Sequence, residues 1–81
     1  MSGPRVVRLY ARPGCHLCDE ARDVILAEKD RTPFVFEEVD VSTSEELELE
    51  YGIRIPVVEV DGRELAEIRL DASELASAVR A

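Results

Sequence analysis

The sequence predicts an α/β fold, a small mixed four-stranded sheet with helices packed on it, in the order β-α-β-α-β-β-α. Three observations carry this expectation. A β-branched run, a stretch of helical period and a second β-branched run follow one another over residues 5–41. An Asp61-Gly62 pair divides two later apolar runs, and capping residues precede the helical stretches.

Residues 5–10, "RVVRLY", read as the first strand. Pro13-Gly14 breaks it. Over residues 15–28, Leu17, Ala21, Val24 and Ile25 recur at helical spacing with charges on the other face. Pro33 then introduces "FVFEEVDV", a second strand, and strand–helix–strand in this order predicts a right-handed parallel unit. In "STSEELELEYG", Ser42, Thr43 or Ser44 can cap a short helix; Thr43 with Glu46 fits a capping box, and Gly52 suits the stop. Asp61-Gly62 within "IPVVEVDGRELAEIRL" is a hairpin signal, so the last two strands are expected to be antiparallel neighbours. Asp71 with Glu74 is a further capping pattern, opening a last helix whose core face is Leu75, Ala78 and Val79.

A chain of 81 residues has room for one domain, 1–81, and its 46% hydrophobic content is that of a globular protein. Ten Lys and Arg stand against 18 Asp and Glu, a net charge of -8. Such a surface repels phosphate backbones, so no nucleic-acid partner is expected. No stretch approaches a membrane-spanning length, and "MSGPRVVRLYARPG" lacks the apolar core of a signal peptide. A cytoplasmic monomer without membrane attachment is therefore expected.

The chain's two cysteines and its one histidine all lie in "RPGCHLCDE", residues 12–20. In a reducing compartment a close pair is more often catalytic or metal-binding than structural. Cys15 falls at the start of a helix, where unpaired N–H groups and the helix dipole favour a thiolate. Cys18 follows on the same face, within reach of a disulfide. The pair suits two-step exchange: Cys15 attacks a substrate disulfide and Cys18 resolves the mixed disulfide. Asp19, Glu20 and Asp23 oppose the thiolate, whereas Arg12 and a protonated His16 favour it. Two other readings stand beside this one. The cysteines can be small core residues, or metal ligands, although zinc takes about four and the chain has no second cluster. Ile55-Pro56 precedes a strand, where proline is ordinary.

On "LYARPGCHLC", on "YGIRIPVVEVDGREL" and on the order of elements, nearly the whole chain resembles the glutaredoxin-like branch of the thioredoxin superfamily, and in particular its small bacterial glutaredoxin-like proteins. The resemblance implies a thioredoxin-like fold and a thiol–disulfide oxidoreductase with Cys15 as nucleophile and Cys18 as resolving cysteine. It makes Pro56 the cis-proline facing the pair, and Ile55 the residue whose backbone pairs with a bound thiol peptide. Arg12 matches a basic residue that contacts a glutathione carboxylate; otherwise it is a surface arginine. Asp71 lies where glutaredoxins hold the other end of glutathione; otherwise it is simply a helix cap.

His16-Leu17 stands where many dithiol glutaredoxins have Pro-Tyr and thioredoxins Gly-Pro. His16 either stabilises the thiolate or sits exposed and neutral, and Leu17 either packs or faces substrate. Ile68-Arg69 replaces the diglycine that precedes the last helix in glutaredoxins. The resemblance thus implies reduction of protein or low-molecular-weight disulfides with no built-in cofactor. The reductant would be glutathione, another small thiol or a flavoprotein reductase. The competing expectations are a metal or iron–sulfur binding module, and a thioredoxin-fold adaptor without redox turnover.

Overall fold

The computed structural model describes residues 3–81, so Met1 and Ser2 of the expected 1–81 domain lie outside the described residues. Along the chain run β1 (Val6–Ala11), α1 (His16–Lys29), β2 (Val35–Asp40), a 3-10 turn (Val41–Thr43), α2 (Glu45–Tyr51), β3 (Val57–Val60), β4 (Arg63–Glu67) and α3 (Ala72–Arg80). The strands form one sheet in the order β2-β1-β3-β4. β1 and β2 are parallel, from Val6 opposite Val35 to Ala11 opposite Asp40, because α1 carries the chain back between them. β3 is antiparallel to β1, and β4 to β3 across the Asp61-Gly62 turn. This is the mixed α/β sheet that the sequence pattern predicts.

The two-residue period of the central strands divides the core. Val7, Leu9 and Ala11 of β1 join Val58 and Val60 of β3 in a cluster with Cys18, Ala21 and Ile25 of α1 and Leu75 and Val79 of α3. Tyr10 and Val57, on the alternate positions, pack with Val41 and with Leu47 and Tyr51 of α2. Helices α1 and α3 therefore cover one face and α2 the other. Each fully buried Leu or Ile in these clusters contributes roughly 1.5–3 kcal/mol through apolar burial. The last helix has the expected buried face at Leu75 and Val79, with Ala78 half-buried.

Three details differ from the sequence reading. The Thr43–Glu46 capping box does not form: the Thr43 hydroxyl donates to the Asp40 carbonyl (2.8 Å), and Ser44 caps α2 by accepting from the Leu47 N–H (3.4 Å). The fully buried Val41 holds residues 41–43 in their own turn, which delays the helix by one residue. Gly52 ends α2 in the right-handed region (φ -51°), not in a left-handed stop. Glycine is needed there for space, since a Cβ would meet the Glu48 carbonyl oxygen at 2.5 Å and its carboxylate at 2.6 Å.

The third difference is Glu28. It belongs to the charged part of the α1 pattern, yet it is buried. Its carboxylate accepts from the Thr32 hydroxyl (2.6 Å), Arg80 Nε (3.0 Å) and Arg31 Nη2 (3.3 Å). The Thr32 bond first, then the two guanidiniums, hold this carboxyl below its ordinary range against the opposing desolvation. The end of α1 is thereby tied to the end of α3.

Candidate active site

β1 ends at the buried Ala11 and delivers the chain to a tight turn. Gly14 adopts φ +79°, a left-handed conformation that costs glycine little, and Cys15 N–H closes the turn on the Arg12 carbonyl (3.3 Å). Cys15 is then extended (φ -93°, ψ 110°) and is the N-cap of α1; its Sγ accepts from the Cys18 N–H at 3.1 Å. A sulfur in this position replaces the usual capping oxygen. The N–H and the positive end of the helix dipole favour negative charge on it.

Cys15 and Cys18 are joined as a disulfide with their Cα atoms 5.2 Å apart, inside the ordinary range. The two sulfurs are not equivalent. Cys15 is half-buried at the surface end of the core, whereas Cys18 is fully buried among Ala21, Ile25 and Leu9.

Two of the three acidic neighbours of the pair, Asp19 and Glu20, have a cationic or imidazole partner. Arg22 binds Asp19 (2.7 Å) and also Glu38 of β2 (2.9 Å). His16, whose side chain is almost fully exposed, sets Nε2 3.1 Å from a Glu20 oxygen. Protonated, His16 would neutralise that carboxylate. Of the charge that stands against a thiolate in the sequence, that of Asp19 is thus compensated by Arg22, which it shares with Glu38.

Arg12 turns to α2, where its guanidinium binds the Glu48 carboxylate. It also helps hold the Asp40 carboxyl low, after the larger effects of the Ser42 hydroxyl and N–H. Asp71 is the N-cap of α3; one of its carboxylate oxygens accepts from Ser73 N–H (2.7 Å) and Glu74 N–H (3.4 Å).

The Ile55-Pro56 bond is cis. Pro56 is buried, and the half-buried Ile55 packs against the cluster that contains Cys18 as well as the one beneath α2. The Pro56 carbonyl accepts from Ile68 N–H (2.8 Å), tying this loop to the connection between β4 and α3. Across a groove of about 150 Å³, Leu17, Glu20, Ala21 and Val24 of α1 face Ile68, Arg69 and Leu70. Cys15, Cys18 and Ile55 thus share one cluster and Leu17 faces Ile68, while Arg12, His16 and Asp71 are each engaged with other groups.

Sequence reasoning marks Ile68 as standing where the resemblance puts glycine, but it misses the backbone conformation there. Its φ is +72°, a conformation that β-branched residues rarely adopt, and no local pattern announces it. Such strain is of order ~1–3 kcal/mol. Ile68→Gly removes it at the expense of backbone entropy, about 0.5–1 kcal/mol, and of the partly exposed side chain's contacts. The variant is expected to be as stable as the wild type or up to ~1 kcal/mol more stable by urea denaturation. A loss beyond about 1 kcal/mol would mean that side-chain packing outweighs the strain.

Among the described residues no three His, Cys, Asp or Glu side chains form a metal-binding group, and no helix is long and apolar enough to cross a membrane. Residues 6–80 match the family model described as a glutaredoxin-like domain (DUF836). Protein Ne2328 from Nitrosomonas europaea is 27% identical, over 98% of this chain and 95% of that one, with a TM-score of 0.81. Protein XcR50 from X. campestris is 38% identical, over 88% of this chain and 91% of that one, with a TM-score of 0.72. A thioredoxin from Halobacterium salinarum shares the fold at 21% identity, over 94% of this chain and 72% of that one, with a TM-score of 0.69.

Proposed function

The chain belongs to the glutaredoxin-like domain family, and from that premise we propose that it is a thiol–disulfide oxidoreductase acting through Cys15 and Cys18. One observation carries the reading: the difference in access between a half-buried, N–H-bonded Cys15 sulfur and a fully buried Cys18. The Cys15 thiolate attacks a substrate disulfide RS–SR′, forming Cys15–S–S–R and releasing R′S⁻, which takes up a proton. Cys18 then loses its proton and attacks the Cys15 sulfur. The internal disulfide closes and RS⁻ departs, so two electrons have passed from the dithiol to the substrate.

Ile55 and Pro56 form the wall on which a bound polypeptide would lie, and Leu17 an apolar edge beside the sulfurs. Arg12 and Asp71 would meet the charged ends of a small thiol substrate only by sharing their present partners. His16 adds positive charge near Cys15 when protonated. A small thiol such as glutathione, or a flavoprotein reductase, returns the electrons. The cytoplasm keeps such a dithiol reduced, and there the protein acts as a monomer on disulfide-bearing proteins or small molecules.

The test is equilibration in dithiothreitol buffers of graded potential, followed by turnover of hydroxyethyl disulfide with each reductant class. A single two-electron transition, tenfold per ~30 mV, together with turnover is expected. A pair that cannot be cycled would leave an adaptor, and bound metal or iron–sulfur colour a metal-binding module.

A further inference from the structure

Leu49 and Ile53 are 84% and 95% exposed and lie one helical turn apart, on α2 and just beyond it. On the inner side of the same segment, Leu47 and Tyr51 pack against the core beneath α2. The segment therefore has one face committed to the fold and, on the other, an apolar pair that is left uncovered among the described residues. A single exposed leucine is ordinary; two large side chains open to water on adjacent turns form a patch that calls for a partner.

Charge indicates what kind of partner. Exposed Glu45, Glu46 and Glu50 surround the pair in sequence, and Arg54 is the only cation among residues 42–54. Its guanidinium is bound to Glu64 (2.9 Å) and Glu67 (3.1 Å) and lies 3.8 Å from a Glu50 oxygen. This one cation is thus shared among three carboxylates, and among the described residues no cation is paired with Glu45 or Glu46. A second copy of this chain is a poor occupant. In a symmetric contact the three carboxylates would meet their own counterparts, in a chain of net charge -8. The patch also leads directly into Ile55-Pro56, beside the cluster that holds Cys18.

We propose that Leu49 and Ile53, rimmed by Glu45, Glu46 and Glu50, dock the protein substrate, a polypeptide whose disulfide lies beside an apolar patch with Lys or Arg at its border. The inference rests on the redox reading and names its substrate class. The apolar pair supplies contact area, and the carboxylates supply orientation and encounter rate.

The experiment uses two synthetic peptides of equal length, each with an internal disulfide and flanking leucines, one bordered by lysines and the other by glutamates. At low salt the lysine peptide is expected to be reduced with about tenfold higher kcat/KM, an advantage that shrinks as salt is added. Leu49→Ser/Ile53→Ser should raise its KM by about tenfold while leaving hydroxyethyl disulfide turnover unchanged. Glu45→Lys/Glu46→Lys/Glu50→Lys should reverse the peptide preference.

Docking without turnover is read by fluorescence anisotropy on the Cys15→Ser/Cys18→Ala chain. Equal use or equal binding of the two peptides, or an unchanged KM in the double serine variant, would overturn the docking surface. So would a wild-type dimer in sedimentation that the same variant dissolves, which would assign the patch to a second copy. Peptide binding without turnover of any disulfide would instead overturn the redox reading and leave the surface standing.

Discussion

Cys15→Ser is expected to lower turnover of every disulfide substrate by about 10³-fold or more, the scale on which an enzyme loses its nucleophile. The fold should survive this change. Cys15 is the N-cap of α1, its sulfur accepting the Cys18 N–H at 3.1 Å, and serine is among the best capping residues. The loss is therefore chemical. Cys18→Ser should behave differently: the first exchange proceeds, no internal thiol resolves it, and a mixed disulfide accumulates on Cys15.

Cys18 is fully buried in an apolar cluster, so a serine hydroxyl there also lowers stability by roughly 1–3 kcal/mol. Cys18→Ala keeps the trapping without that polar group. Intact-protein mass spectrometry with a small disulfide, alongside thermal melts, measures both effects. A Cys15→Ser chain that still turns over, or an adduct carried by Cys18, would reverse the assigned roles.

Leu9→Ala is expected to leave the protein close to unfolding. Leu9 lies on the central strand, between Glu38 of β2 and Val58 of β3, and is fully buried in the cluster that also holds Cys18 and Ile25. Truncating such a leucine costs about 2–5 kcal/mol in lost burial and residual cavity. A domain of this size has on the order of 4–12 kcal/mol in total. Leu49→Ala, on the open face of α2, should by contrast change stability by no more than ~0.5 kcal/mol. Urea denaturation of the two variants beside the wild type makes the comparison. A Leu9→Ala loss below about 1 kcal/mol would mean that the sheet relaxes to fill the cavity.

What the sequence determined by itself is what depends on neighbours a few residues apart. The β-branched run of β1, the helical spacing of Ala21 and Ile25, the Asp61-Gly62 turn and the Asp71 cap each act within one turn or one pleat, and each element lies where they predict. The placement of Cys15 at the start of α1 is of the same kind, and so is the vicinity of Cys18.

The rest was decided by contacts between residues far apart in the chain. Glu28 is buried because Arg80, 52 residues away, reaches it. Arg12 is drawn to α2 because Glu48, 36 residues away, accepts it, and Gly52 must be small beside that pair. Ile68 is held in a left-handed turn in which its N–H reaches the Pro56 carbonyl. Propensity and spacing act along the chain, whereas ion pairs, close approaches and tolerated strain belong to the packed molecule. Periodicity alone therefore gave no sign of which carboxylate would be buried, or of which isoleucine would be left open to solvent.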